Sequence, residues 1–312
     1  MSIAFLLSGQ GAQKPGMGAA LIESSAPEAA ETFAIASEAF GFDVADVCLH
    51  ASADQLRDTA FAQPAMCALS VAVAKALEAR GVRPAFVAGF SLGQIAALAV
   101  SGMTSEADAF AIAAYRAKVM AEAAAARPGS MCALLGGDMN EARDVCLQVA
   151  GDDVLVRANY NAPGQIVVSG DAAAVDRAAE AWRQRPRHKA TMLATSGAFH
   201  SPLMQPAADA LRDFLVDIEF LEPRVPLVCN TDARPLSAAD AREHVALQVA
   251  SPVLFEQSVR WLSMRGVDVF VECGFGGVLS KLVRRIEPDA LRAAPVSPDE
   301  IAQIATDFSN KE

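Results

Sequence analysis

The stretch PAFVAGFSLGQIAALAVSG, residues 84–102, limits the architecture more than any other part of the chain. It opens with an apolar run short enough for a buried strand and continues as a helix, with Ser91 between them in the pattern G-x-S-x-G. Glycine and serine are common residues, so the pattern alone is weak. The strand-turn-helix setting gives it meaning, because a serine on such an elbow is presented as a nucleophile at the end of an α/β sheet.

The rest of the chain repeats the strand and helix alternation. IAFLL is a short buried strand followed by the loop SGQGAQKPGMG, and AFAQPAMCALSVAVAKALEARG is a long buried helix stopped by Gly81. TSEADAFAIAAYRAKVMAEAAAA is another helix, capped by Thr104 or Ser105. Later come the helix SPLMQPAADALRDFLVDI with Ser201 as its cap, the strand RVPLVCN, helical segments broken near Pro252, and the strand VDVFVECG entering GFGG and the helix VLSKLVRRI. This order predicts a mostly parallel sheet covered on both faces. Between residues 129 and 195 the texture changes to βαββαβ, the order of a ferredoxin-like unit, which reads as an insertion in a body made of 1–128 and 196–312. The last residues, SPDEIAQIATDFSNKE, read as a loose tail.

Composition excludes several classes. With 53% hydrophobic and 20% charged residues the chain has material for a core and is not a disordered one. A formal net charge of -11 argues against a nucleic-acid binder. The N-terminus lacks the basic region of a signal peptide, and no uninterrupted apolar stretch approaches the roughly 20 residues of a membrane span. Six cysteines without any C-x-x-C pair point to reduced thiols in the cytoplasm, with neither a disulfide frame nor a metal site. Within this acidic chain the run RQRPRHK, residues 183–189, is basic: a solvated helix end, or a docking patch for an anionic partner.

A serine hydroxyl needs a base. Of the four histidines, His50 lies in a polar stretch, His188 in the basic run and His244 on a helix beside Glu243. His200 stands immediately before the Ser201-Pro202 helix start, where the helix N-terminus disfavours a positive charge and keeps an imidazole neutral. The oxyanion of an attacked carbonyl needs two donors, and the amide of Leu92 and the SGQGAQ loop are placed to supply them. That loop lacks the spacing of a phosphate-binding motif. Arg116 shares its helix face with Ile112 and Met120, and an arginine among apolar neighbours requires an anion. The anion is either one of the chain's 37 acidic residues or a carboxylate on the substrate.

Taken in order, SGQGAQ, GFSLGQIAAL, YRAKVMAEA, NYNAPGQIVVSG, GAFHSPLM, LQVASPV and ECGFGGVLSKL span nearly the whole chain. In them the sequence resembles the malonyl-CoA:acyl carrier protein transacylases of fatty-acid synthesis and the related acyltransferase domains of polyketide synthases. The resemblance implies an α/β-hydrolase-like body with an inserted ferredoxin-like subdomain. It implies Ser91 as the acyl-accepting nucleophile, His200 as its base, Gln10 and the Leu92 amide at the oxyanion hole, and Arg116 on the free carboxylate of malonate. Gln248 would help orient the imidazole, and Phe199 is similar to the residue of malonyl-selective relatives. The chain departs from the family at Phe90, where histidine is usual, and at Gln94, where glutamate is common.

The implied reaction is ping-pong transfer from malonyl-CoA to the phosphopantetheine thiol of acyl carrier protein, in the cytoplasm, by a monomer, without metal or other cofactor. Carrier protein would dock near Arg183, Arg185, Arg187 and Lys189, or near Lys281, Arg284 and Arg285. The alternatives are a serine thioesterase, a non-catalytic acyl-binding relative, and a free-standing acyltransferase of a polyketide or malonate-decarboxylase system.

Overall fold

The structure, a computed structural model, describes residues 1–24, 26–195 and 197–309. Nine strands are present among them: β1 (Ile3–Leu7), β2 (Phe86–Gly89), β3 (Gly129–Leu135), β4 (Leu155–Ala162), β5 (Gln165–Asp171), β6 (Lys189–Met192), β7 (Leu227–Val228), β8 (Val269–Cys273) and β9 (Leu291–Ala293). They form two sheets. The first has the order β7-β2-β1-β8-β9, and every pair in it is parallel. All five residues of β1 are buried, as expected for a central strand with both faces covered.

The second sheet has the order β4-β5-β3-β6 with antiparallel pairing, and helices Met139–Val149 and Ala172–Arg183 join its strands. The βαββαβ order read from the sequence gives this arrangement, the strand order of a ferredoxin-like unit. It has its own small core around Trp182, whose indole N–H donates to the Leu135 carbonyl at 3.1 Å. Two attachments hold this sheet over the body. The Tyr160 amide donates to the Val253 carbonyl and the Val253 amide to the Ala158 carbonyl, at 2.9 and 2.8 Å. The Arg285 guanidinium, on helix Val278–Ile286, donates to Gln165 Oε1 at 2.8 Å and to the Pro163 carbonyl at 2.6 Å. The expected junction at residue 196 falls on Ser196, outside the described residues.

Helix Thr59–Ala79 is long and apolar enough to cross a membrane, but 83% of its apolar window is buried inside the protein. It packs between the sheet and helices Pro27–Phe40 and Glu106–Ala126 as a core helix.

Other expectations need correction. RVPLVCN yields only the two strand residues of β7, because the Cys229 amide turns away to the Arg234 carbonyl. The helix expected over 201–218 is broken into a 3₁₀ turn at Pro202–Met204, an α-helix at Gln205–Phe214 and a second 3₁₀ turn at Leu215–Asp217. Helices Pro27–Phe40 and Val44–His50 and strand β9 were not anticipated. The expected tail is helix Pro298–Ser309, with Ile301 and Ile304 buried in the main core, while residues 310–312 lie outside the described residues.

If that helix is an integral part of the body, Ile301→Ala should remove about 2–5 kcal/mol of stability, the cost of truncating a buried isoleucine. Urea unfolding reads this directly, and an unchanged midpoint would return the segment to the status of a tail.

Candidate active site

The elbow forms because two glycines let three backbones meet. A Cβ on Gly89 would lie 2.0 Å from the Gly93 carbonyl carbon, and one on Gly93 would lie 2.0 Å from the Leu7 carbonyl oxygen. Both distances are far inside van der Waals contact, so only glycine lets helix Leu92–Ser101 start directly against β1 and β2. Ser91 between them has φ 53° and ψ −109°, a conformation that costs on the order of 1–3 kcal/mol for a residue with a side chain. The Asn230 carboxamide secures it, with Oδ1 accepting from the Ser91 amide at 2.8 Å and Nδ2 donating to the Gly89 carbonyl at 2.6 Å.

His200 also adopts a left-handed φ, 59°, and its amide donates to the Val249 carbonyl. Its Nε2 lies 2.7 Å from Ser91 Oγ. Its Nδ1 faces two carbonyl oxygens, of Gln248 at 2.9 Å and Ser251 at 3.1 Å. Because carbonyls only accept, Nδ1 carries the proton and Nε2 is the free base that accepts from the serine. Burial first, and then the neighbouring Arg116 cation, lower the imidazole pKa to about 4 against the two carbonyls that raise it. Burial thus outweighs the helix start that the sequence offered as the cause. The remaining histidines are elsewhere: His50 pairs with Asp46 on the surface, His188 packs edge-on to Trp182, and His244 sits by Cys229 and Thr231.

Arg116, on helix Glu106–Ala126, is 1% exposed. No carboxylate lies within ion-pair distance of it among the described residues, which removes the structural ion pair as its explanation. Its Nη1 donates to Gln63 Oε1 at 3.0 Å, and its Nη2 reaches both Gln248 Oε1 and Ser91 Oγ at 3.2 Å. Its Nε has no partner. Burial pulls even this guanidinium down to about 10. The Gln248 side chain therefore holds Arg116 and, through Nε2, the Ser91 carbonyl at 2.8 Å, whereas the imidazole is met by its main-chain carbonyl.

Ser91, His200 and Arg116 line one cavity of about 300 Å³ together with Gln10, Leu92, Phe90 and Phe199. The Leu92 amide is the first of its helix and has no intrahelical acceptor, so it points a partial positive charge at the site. Gln10 approaches from the loop after β1. Phe90 stands edge-on to Phe255 at 5.4 Å between ring centres and borders a second cavity of about 240 Å³, which shares Gln10, Gly11, Asn159 and Leu193 with the first. GFGG forms the turn from β8 into helix Val278–Ile286, as expected. Asn230 and Gln63 were missed in the sequence; Gln63 left a signal as a polar residue within an apolar helical run, and Asn230 left none.

Residues 4–303 match the acyl transferase domain family. The chain belongs to that family. It is 38% identical over 305 residues to the malonyl CoA-acyl carrier protein transacylase of Bacillus subtilis, covering 97% of this chain and 96% of the relative. Among solved structures, the malonyl-CoA:acyl carrier protein transacylase of Xanthomonas oryzae superposes with a TM-score of 0.93 at 39% identity, covering 98% of this chain and 99% of the other. A malonyl-transacylase in complex with its type II polyketide synthase acyl-carrier protein also gives 0.93, at 32% identity over 98% of this chain and 100% of its own. In this acyltransferase the sheet ends, the elbow and the two glutamines bring a strained serine, a neutral imidazole and an unmatched cation to one cavity. That set suits acyl transfer from a substrate bearing a negative charge.

The depressed pKa has a sign that can be tested. A base with a pKa near 4 stays neutral through pH 6.5, so sulfonylation of Ser91 by a sulfonyl fluoride should hold its rate down to about pH 5 and fall only near 4. Arg116→Gln removes one of the two depressing causes and should move the limb upward. A limb near 6.5 in both proteins would contradict the burial argument.

Proposed function

We propose that this acyltransferase moves a malonyl group from malonyl-CoA to the phosphopantetheine thiol of acyl carrier protein, supplying chain-extender units for fatty-acid synthesis in the cytoplasm. The observation that carries the substrate is Arg116, a buried guanidinium beside the nucleophile with an unpartnered Nε and no carboxylate paired with it among the described residues. The free carboxylate of malonate matches that guanidinium in hydrogen bonding and charge.

In the first half-reaction His200 Nε2 takes the proton of Ser91 Oγ, and the oxygen attacks the thioester carbonyl. The developing oxyanion is met by the Leu92 amide and by Gln10. Collapse expels the CoA sulfur, which takes the proton back from the imidazolium, leaving malonyl-serine. In the second half-reaction the carrier thiol gives its proton to His200 and attacks the same carbonyl, and the serine oxygen leaves with that proton. The carbonyls of Gln248 and Ser251 take the place held by a carboxylate in many serine enzymes. A malonate carboxylate on Arg116 offsets the cation that depresses His200, so substrate binding brings the base closer to working pH. The thioester is already activated, and these steps use no metal or redox group.

Phe90 and Phe199 shape the acyl end of the cavity, and Phe90 offers no donor to the carboxylate. Carrier protein is acidic, so docking requires a local basic face. Arg285 is occupied by the β4–β5 hairpin, and Arg185 by Glu141 at 3.6 Å and by the Trp182 ring. Lys281 and Arg284 remain exposed on the helix that borders the second cavity, and Arg183, Arg187 and Lys189 are exposed on the small subdomain. The proposed docking face is centred on Lys281 and Arg284.

Intact mass spectrometry after mixing with malonyl-CoA should show a malonyl adduct that is absent in Ser91→Ala and is discharged onto added carrier protein. Discharge to water instead would make the protein a thioesterase. Arg116→Ala should lose malonyl loading by about 100-fold or more, on the scale of a buried charge pair, while acetyl loading persists. Adding Phe90→His to the same competition between malonyl-CoA and acetyl-CoA should shift the ratio toward malonyl; an unchanged ratio would remove Phe90 from selectivity.

Reversing both Lys281 and Arg284 to Glu should slow transfer to carrier protein at least about tenfold and spare adduct formation. Equal losses in both half-reactions would place the docking face elsewhere.

A further inference from the structure

Immediately before Asn230 the chain carries a second set of chemistry-bearing groups that the transfer reaction does not use. Cys229 is buried, and its Sγ lies 3.5 Å from His244 Nδ1. The turn that follows returns Asp232 to the same place, with the Cys229 amide donating to the Arg234 carbonyl and Ala233 in the left-handed region at φ 57°. The ligand atoms of Cys229, Asp232 and His244 all lie within 4.8 Å of one another. No C-x-x-C spacing announces this cluster, because its members come from a turn and from helix Ala238–Leu247.

We propose that Cys229, Asp232 and His244 form a site for a thiophilic divalent cation of the zinc class. The donor set is a sulfur, an imidazole and a carboxylate, the mixture that zinc accepts in tetrahedral geometry. Zinc–sulfur and zinc–nitrogen bonds of about 2.3 and 2.0–2.1 Å put tetrahedral neighbours about 3.6 Å apart. The Cys229 to His244 separation of 3.5 Å is already that edge. Asp232 is exposed and His244 half-buried, so the cation enters from solvent and keeps a water as its fourth ligand. On binding, the Cys229 thiol releases its proton to solvent and the imidazole carries its proton on Nε2. The Thr231 hydroxyl, now 2.6 Å from His244 Nδ1 and 3.2 Å from Cys229 Sγ, turns away about χ1 and frees both donors.

Three hydrogen bonds in series connect the site to the elbow. Gln94 Nε2 donates to Cys229 Sγ at 3.7 Å, Gln94 Oε1 accepts from the Asn230 amide at 2.6 Å, and Asn230 Oδ1 accepts from the Ser91 amide. A glutamine at position 94 can make both of these contacts, whereas an ionised glutamate offers no donor to the sulfur.

The test is a titration of the full, metal-free chain with Co2+, followed by absorbance. One equivalent should give a near-ultraviolet thiolate-to-cobalt band with tetrahedral visible bands, displaced by Zn2+. Cys229→Ser should abolish the thiolate band, and Asp232→Asn and His244→Ala should weaken binding at least about tenfold. His244→Ala keeps all six thiols, so its loss of binding with an unchanged circular dichroism spectrum separates ligation from misfolding. Absence of a saturable band, or a band that survives in Cys229→Ser, overturns the proposal.

Discussion

A guanidinium taken out of water costs several kcal/mol even after the protein relaxes around it, and Arg116 bears that cost without an acidic partner among the described residues. Much of the site follows from this one placement. Two glutamine carbonyl oxygens, from Gln63 and Gln248, partly replace the lost hydration of the cation without neutralising it. The surviving charge adds to the burial that keeps His200 neutral, and one of its N–H groups shares the nucleophile's oxygen. A glutamate in place of either glutamine would pair the cation internally and compete with a substrate carboxylate for its charge.

Asn230 has a comparable role on the backbone side. Its single carboxamide joins the carbonyl of Gly89 to the amide of Ser91, the two sides of the strained turn, and so offsets the cost of a positive φ with two hydrogen bonds at 2.6 and 2.8 Å. Asn230 can stand there because β7 ends after two residues, which releases the chain from the sheet at the level of the elbow.

The parts legible in the sequence were those whose signals are local. The elbow, the isolated arginine on an apolar helix face, and the histidine before a helix start each occupy a few consecutive residues or one helix turn. The small sheet was legible for a related reason, since its strands and helices follow one another without interruption from Gly129 to Met192. What escaped depends on assembly. β9 is three residues long and exists by pairing with β8, and the roles of Gln63, Gln248 and Asn230 require three remote segments to converge. The Pro298–Ser309 helix was a different kind of miss: Ile301 and Ile304 carried the apolar spacing of a docked helix, and its polar composition obscured it.

The attachments of the small sheet have a consequence for how the cavity measures its contents. Paired main-chain bonds at Tyr160 and Val253 fix one side of the sheet to the body, and the Arg285 fork fixes the hairpin end. Both attachments lie between Ala158 and Gln165, so they brace the β4–β5 edge of the small sheet against the body. Asn159, between the two tied residues of β4, lines the catalytic cavity, so the bonds that join the two sheets also set one of the walls an acyl group must lie against.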